Sequence, residues 1–243
     1  YSLMNYADMA LGTWYPMGGM GRIVDGMVAV ARDHGVHFRT NTPVTRILVE
    51  QGRARGVETT AGVLRADLVV AGADYHHVET SLLDPEFRSY SEAYWESRVM
   101  APSSLLFYLG FDRRLEGLRH HNLFFDRSLD VHAREIYDAP AWPSDPLMYV
   151  CVPSITDPSV APAGHANVFA LIPIAPGLED TPAIRERYLR QVLDRIGQRT
   201  GIDVRPHMVL QRSYCINDFQ ADHNAFRGNA YGLANTLRQT AVL

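Results

Sequence analysis

Between Met20 and His34 the apolar residues Ile23, Met27, Val30 and Ala31 recur at helical spacing. The pattern predicts a helix over these positions with that stripe buried, and Gly35 supplies its left-handed stop. From Val36 the period drops to two. Val36–Thr40, Pro43–Val49 and Arg53–Thr60 read as strands, with a turn at Gln51-Gly52. Ala61-Gly62 turns the chain toward a last apolar strand, Leu68-Val-Val-Ala-Gly-Ala-Asp74. Ile47 and Val49 fall on one face of their strand, Val44 and Leu48 on the other. The expectation is a small meander beside a parallel sheet.

After His76 the character changes. Asp84-Pro85 opens a polar helical stretch that runs to Trp95. Ser103–Phe111 (SSLLFYLGF) is almost continuously apolar, the pattern of a strand buried on both faces. Asn122–Phe125, Leu147–Val152 and Asn167–Ile172 read as its neighbours. The strongest helix signal is Pro182–Thr200: Thr181 is a good N-cap, Pro182 suits the first position, and Gly201 ends it. Ile184, Tyr188, Val192 and Ile196 make its stripe, widened by Leu189 and Leu193. His207–Tyr214 reads as a final strand and Asp218–Gly232 as a loop.

A chain of 243 residues, 47% of them apolar, has material for one or two domains. The net charge of −4 and the scattered basic residues, all 23 of them arginine, point away from nucleic acid. Cys151 and Cys215 are far apart and lack metal spacing, so a reduced, cytoplasmic setting is the default. No apolar run reaches the roughly 18 residues of a membrane span, and no signal peptide is seen. The chain starts at Tyr1 and stops at Leu243 without a polar tail, so both ends read as cut.

Few residues announce chemistry. Gly18-Gly19-Met20-Gly21 lacks both the spacing and the preceding strand of a dinucleotide fingerprint. It reads as a loop leading into the helix, able to lie against a cofactor through free backbone N–H groups. The pairs His76-His77 and His120-His121 suggest no metal site, because neighbours on a strand point to opposite faces. Asp218, Asp222 and His223 read as loop caps, with an acid–base group as the alternative. The Met- and aromatic-rich start, Tyr1 to Met20, is either core or the wall of an apolar channel.

The order of elements from His34 to Asp74 resembles the second half of the FAD-binding domain of glutathione-reductase-like flavoproteins. More specifically, several segments resemble bacterial-type carotenoid (phytoene) desaturases: Trp14–Met27, Asn41–Ile47, Ala71-Gly-Ala-Asp74, Ser103–Phe111, His120-His-Asn122, Pro153–Gly164 and Asp218–Gly232. The resemblance runs in order along nearly the whole chain. It implies an α/β (α+β) fold: part of a glutathione-reductase-like FAD-binding domain, plus a substrate domain built on an antiparallel sheet with helices. The matching division is 1–75 for the partial FAD-binding domain, 76–225 for the substrate-binding domain, and 226–243 for the start of the return.

The resemblance further implies FAD as cofactor and an apolar polyene as substrate; charge and residue spacing give no reason to expect a nucleic acid partner or a metal. It implies a bacterial, cytoplasmic enzyme in peripheral contact with a membrane, of which this chain would be an internal piece, inactive alone. Val44 would hold the adenine through its backbone, and Ala73 and Asp74 would pass close to the pyrophosphate. Pro16, Met17, Gly18 and Gly19 would face the isoalloxazine or the channel mouth. An ordinary strand role for Val44 and a capping role for Asp74 are the competing readings. Leu105, Phe107, Leu109 and Phe111 could be channel wall or core. Other members of the flavoprotein superfamily (a polyene isomerase, a retinoid saturase, an amine oxidase) and a non-catalytic apolar-ligand-binding module are the functional alternatives.

Overall fold

The computed structural model describes residues 6–236 and 239. Strands β1 (Val44–Glu50), β2 (Arg53–Thr59) and β3 (Gly62–Arg65) form an antiparallel meander in the order β1-β2-β3. At Gly56 a Cβ would lie 2.1 Å from the carbonyl oxygen of Leu64, so only glycine lets β2 and β3 approach this closely. The second sheet has five antiparallel strands in the order β5-β6-β7-β4-β8. They are β4 (Ser103–Phe111), β5 (His121–Phe124), β6 (Met148–Cys151), β7 (Ala166–Ile174) and β8 (Met208–Tyr214).

The core of this second sheet lies between one of its faces and a long helix. Leu105, Phe107, Leu109 and Phe111 of β4 are buried together with Val168, Ala170, Ile172 and Ile174 of β7. The cluster also takes in Tyr188, Leu189, Val192, Leu193 and Ile196 of the helix Pro182–Thr200. The helix has the predicted bounds for the predicted reasons. Thr181 accepts the N–H of Ile184, and Gly201 ends the helix at φ 74°. A buried knot fastens its first turn to the chain beyond β8. Asp180 accepts from Arg185 Nε (2.7 Å) and the N–H of Asn217 (3.0 Å), while Arg185 also reaches Asp218 at 2.7 Å.

Several expectations change. The helix α1 spans Gly21–Asp33, but Ile23, Met27 and Val30 are 48%, 68% and 59% exposed, so the predicted stripe is not covered among the described residues. Val36–Thr40 and Leu68–Asp74 form no strands. A strand needs a ladder partner for its backbone, and these segments meet none among the described residues. The segment Asp84–Trp95 holds only a 3₁₀ turn (Pro85–Phe87) and a short helix (Glu92–Glu96). β4 is buried on one face; on the other, Leu106 and Gly110 are half-buried and Tyr108 is exposed. Asp218 begins no loop. It sits in the first turn of a helix, Ile216–His223, and its carboxylate accepts the N–H of Cys215 at 2.8 Å.

Candidate functional site

The face of the five-stranded sheet that turns away from the core is open and largely apolar, with the exposed Arg212 of β8 opposite Tyr108 at its β8 edge. Register decides its composition. Tyr108 of β4 lies opposite Phe169 of β7, and their ring centroids are 5.4 Å apart. Leu106 lies between Leu171 and Tyr214, and Leu171 in turn opposes Tyr149 of β6. Tyr149 and Phe169 meet edge-on at 6.3 Å. A cavity of about 340 Å³ opens over this face, bounded by Tyr108, Gly110, Phe169, Pro153, Val160 and Leu210. A larger cavity of about 640 Å³ at the β5 edge is lined by Leu123, Phe124 and Phe125 but also by Asp126, Arg195 and Arg199, and these charged groups suit it less well to a hydrocarbon.

The glycine loop borders the same face. Pro16–Gly19 closes a turn through the Gly19 N–H to the Pro16 carbonyl at 3.1 Å, with φ 90° at Gly18 and 98° at Gly19. The Gly18 N–H donates to Asp157 at 2.5 Å. Asp157 is buried, and the Ser159 hydroxyl and then the Gly18 N–H hold its carboxyl below the usual carboxylate range. Gly19 lies over Val160 of the cavity wall, where an added Cβ would be 3.8 Å from Cγ1. Tyr15 packs edge-on against His120 at 4.7 Å. Burial first, then Asp157 and Cys151, raise the Tyr15 phenol.

Beside the loop, His120, His121 and Cys151 come together. Alternation does not separate the histidines, because His120 lies just before β5 and the two ring centroids are 4.4 Å apart. His120 Nδ1 is 2.7 Å from the Thr156 hydroxyl and His121 Nδ1 is 2.7 Å from the Tyr149 hydroxyl. Burial, then the neighbouring His121, lowers the His120 imidazole; burial raises the Cys151 thiol.

The residues singled out from the sequence fall in separate places. Pro16, Met17, Gly18 and Gly19 lie on the loop just described, with Met17 turned to solvent. Val44 opens β1, an edge strand, opposite Thr59. Ala73 is exposed. Asp74 caps the next segment by accepting the His77 N–H at 3.2 Å. It also accepts the Phe226 N–H at 3.2 Å and Asn229 Nδ2 at 3.3 Å. Leu105, Phe107, Leu109 and Phe111 are core, so the open wall belongs to the alternate residues of the same strand. Asp157 was legible only as part of the Pro153–Gly164 segment, with no role attached to it.

Residues 1–241 match the model of the family described as flavin containing amine oxidoreductase. The chain belongs to that family. Membership implies a flavin cofactor. Among curated relatives, the chain is 45% identical to a carotenoid 3,4-desaturase of Haloarcula japonica, covering 100% of this chain and 49% of that protein. It is 34% identical to an all-trans-zeta-carotene desaturase of Myxococcus xanthus, covering 100% and 47%. It is 32% identical to a phytoene desaturase of Neurospora crassa, covering 97% and 42%. The chain thus spans about half the length of the curated relatives it matches. No helix among the described residues is long and apolar enough to cross a membrane.

The described residues fit part of a flavin nucleotide. β1 has a free edge, and Val44 at its start offers backbone groups there. The turn 71–73 is small and exposed, and Gly18 and Gly19 present bare backbone. The glycine fingerprint that would grip the pyrophosphate is not in this sequence.

Proposed function

We propose that this chain supplies the substrate-facing part of a FAD-dependent carotenoid desaturase. The observation that carries this reading is the open apolar sheet face bordered by the glycine loop. A carotenoid precursor is a long hydrocarbon with no charge to grip, so its recognition rests on apolar area and shape. Tyr108, Phe169, Tyr149, Leu106 and Leu171 form a floor of that kind, and the loop at Gly18-Gly19 limits one end of it. FAD, when bound, supplies the hydride acceptor. Asp157 positions the loop by holding the Gly18 N–H, and the apolar floor would shield one side of the bound polyene from water.

Val44 would hold the adenine and the turn through Ala73 and Asp74 would pass the pyrophosphate. The bonds from Asp74 to Phe226 and Asn229 support a chain that leaves the FAD-binding domain near residue 75 and returns near 226, at neighbouring points. Because the substrate dissolves in a bilayer, the whole protein would dock on a membrane without spanning it. The higher identity to a 3,4-desaturase than to the phytoene and zeta-carotene desaturases favours a second choice of substrate, a carotenoid already conjugated.

The test uses the full-length protein with FAD, mixed anaerobically with liposomes that carry either phytoene or a conjugated carotenoid. The expected result is flavin bleaching together with a product of longer conjugation. Tyr108→Ala and Phe169→Ala should keep the flavin and lower kcat/KM on the order of tenfold each. A flavin that stays oxidised with every carotenoid, or turnover that follows NAD(P)H consumption, would overturn the desaturase reading.

A further inference from the structure

At the border of the apolar floor, one thiol and two imidazoles converge. His121, the first residue of β5, pairs directly across the ladder with Cys151, the last residue of β6, so the two side chains share a face. His120 precedes β5 and accepts the Val152 N–H through its carbonyl at 2.8 Å. Its ring nevertheless turns toward His121, and one ligand atom from each of His120, His121 and Cys151 lies within 4.8 Å of the other two. From these positions we propose that His120, His121 and Cys151 form a binding site for a borderline-soft divalent metal ion of the zinc class.

Three observations support the assignment. The donor set is two imidazoles and one thiol, which suits zinc-class ions and not magnesium or calcium, whose ligands are oxygens. Each imidazole already has one nitrogen on a hydroxyl, His120 on Thr156 and His121 on Tyr149, both at 2.7 Å. A hydrogen bond of this kind to one ring nitrogen is the outer-shell arrangement that orients a ligating histidine. Finally, Cys151 is a free thiol, and β5 is an edge strand, so an ion can reach the site from solvent.

A bound ion would draw the three donors to about 3.5 Å from one another, given metal–ligand bonds of about 2.0–2.3 Å. Side-chain rotation supplies that closure. Binding forms one metal–sulfur and two metal–nitrogen bonds and releases the thiol proton to solvent, and the fourth position stays open to water. The ion would pin the start of β5 to the end of β6, next to the ring of Tyr15. The proposal stands independently of the desaturase reading.

The test is cobalt loading of the metal-stripped, full-length protein, followed by dialysis and absorption spectroscopy. One retained equivalent with a thiolate-to-cobalt charge-transfer band is expected. Cys151→Ser should abolish the band, and His121→Gln, at an exposed edge position, should weaken cobalt binding roughly tenfold or more. Tyr149→Phe, which keeps all three ligands, should weaken it on the order of tenfold by freeing the His121 ring. Circular dichroism of each variant separates ligand loss from unfolding. No retained cobalt in the native protein, or a band unchanged in folded Cys151→Ser, would overturn the site.

Discussion

The helix Pro182–Thr200 and the helix α1 both carry an apolar stripe, and the structure treats the two in opposite ways. The first lies on the five-stranded sheet, with Val192 and Ile196 fully buried. The second buries none of its residues. The same contrast runs through the strands: β4 has two ladder partners, whereas the apolar run Leu68–Asp74 has none among the described residues, with Leu68 at 77% and Val70 at 84% exposure. Apolar periodicity states which face seeks cover. Whether the cover lies within the same stretch of chain is a separate matter, decided by what else packs there.

The largest effect that would sharpen this contrast is in the closed core. Phe107→Ala should cost about 3–5 kcal/mol in urea unfolding, since the ring is fully buried. A loss under about 1 kcal/mol would mean that this core is not well packed.

The knot at the helix start comes next. Burial raises the Asp180 carboxyl, but the hydrogen bonds from Arg185 and from Asn217 more than offset this and leave it below its ordinary value. A carboxyl depressed in the folded state contributes stability above the unfolded pKa, and that stability is lost as pH falls through the folded value. Unfolding midpoints should therefore fall below about pH 4, near the unfolded carboxyl value. Asp180→Asn should cost about 3 kcal/mol at pH 7, because it leaves Arg185 with a weakened partner set in a buried place. The variant should also show a flatter acid limb. An acid limb unchanged by the substitution would remove Asp180 from this role.

The smallest effect belongs to α1. Met27→Ala should change the stability of this 243-residue chain by less than about 0.5 kcal/mol, because the side chain touches little. A loss comparable to that at Phe107 would show that the stripe is covered after all, and the contrast between the two helices would vanish.

How much of this was legible in the sequence follows the same division. Local signals held. Thr181, Pro182 and Gly201 fixed the long helix to its end residues, and Gly35 at φ 78° stops α1 as read. The helix Ile216–His223 was missed because its N-cap is Cys215, outside the usual capping set; Asp218 three residues on was the readable half of the pair. The run Ser103–Phe111 looked buried on both faces because Leu106 and the ring of Tyr108 continue the apolar run between Leu105, Phe107 and Leu109. Sequence cannot tell a face that meets a helix from one open to a ligand. The site was legible in part: Gly18 and Gly19 were singled out, but their partner Asp157 is 139 residues away in the chain, and only the fold brings them together.

The strand order β5-β6-β7-β4-β8 also sets a schedule for the chain as it folds. β4 is complete at Phe111, yet its two neighbours are β7, which starts at Ala166, and β8, which starts at Met208. Until those segments are made, the stretch SSLLFYLGF has both backbone edges unpaired and an apolar face uncovered. Such a stretch is an aggregation hazard, and pairings this distant in sequence form slowly. During synthesis the most buried strand of the finished sheet is thus the one that waits longest for its partners, and the yield of folded protein should depend on how well the cell shields it in that interval.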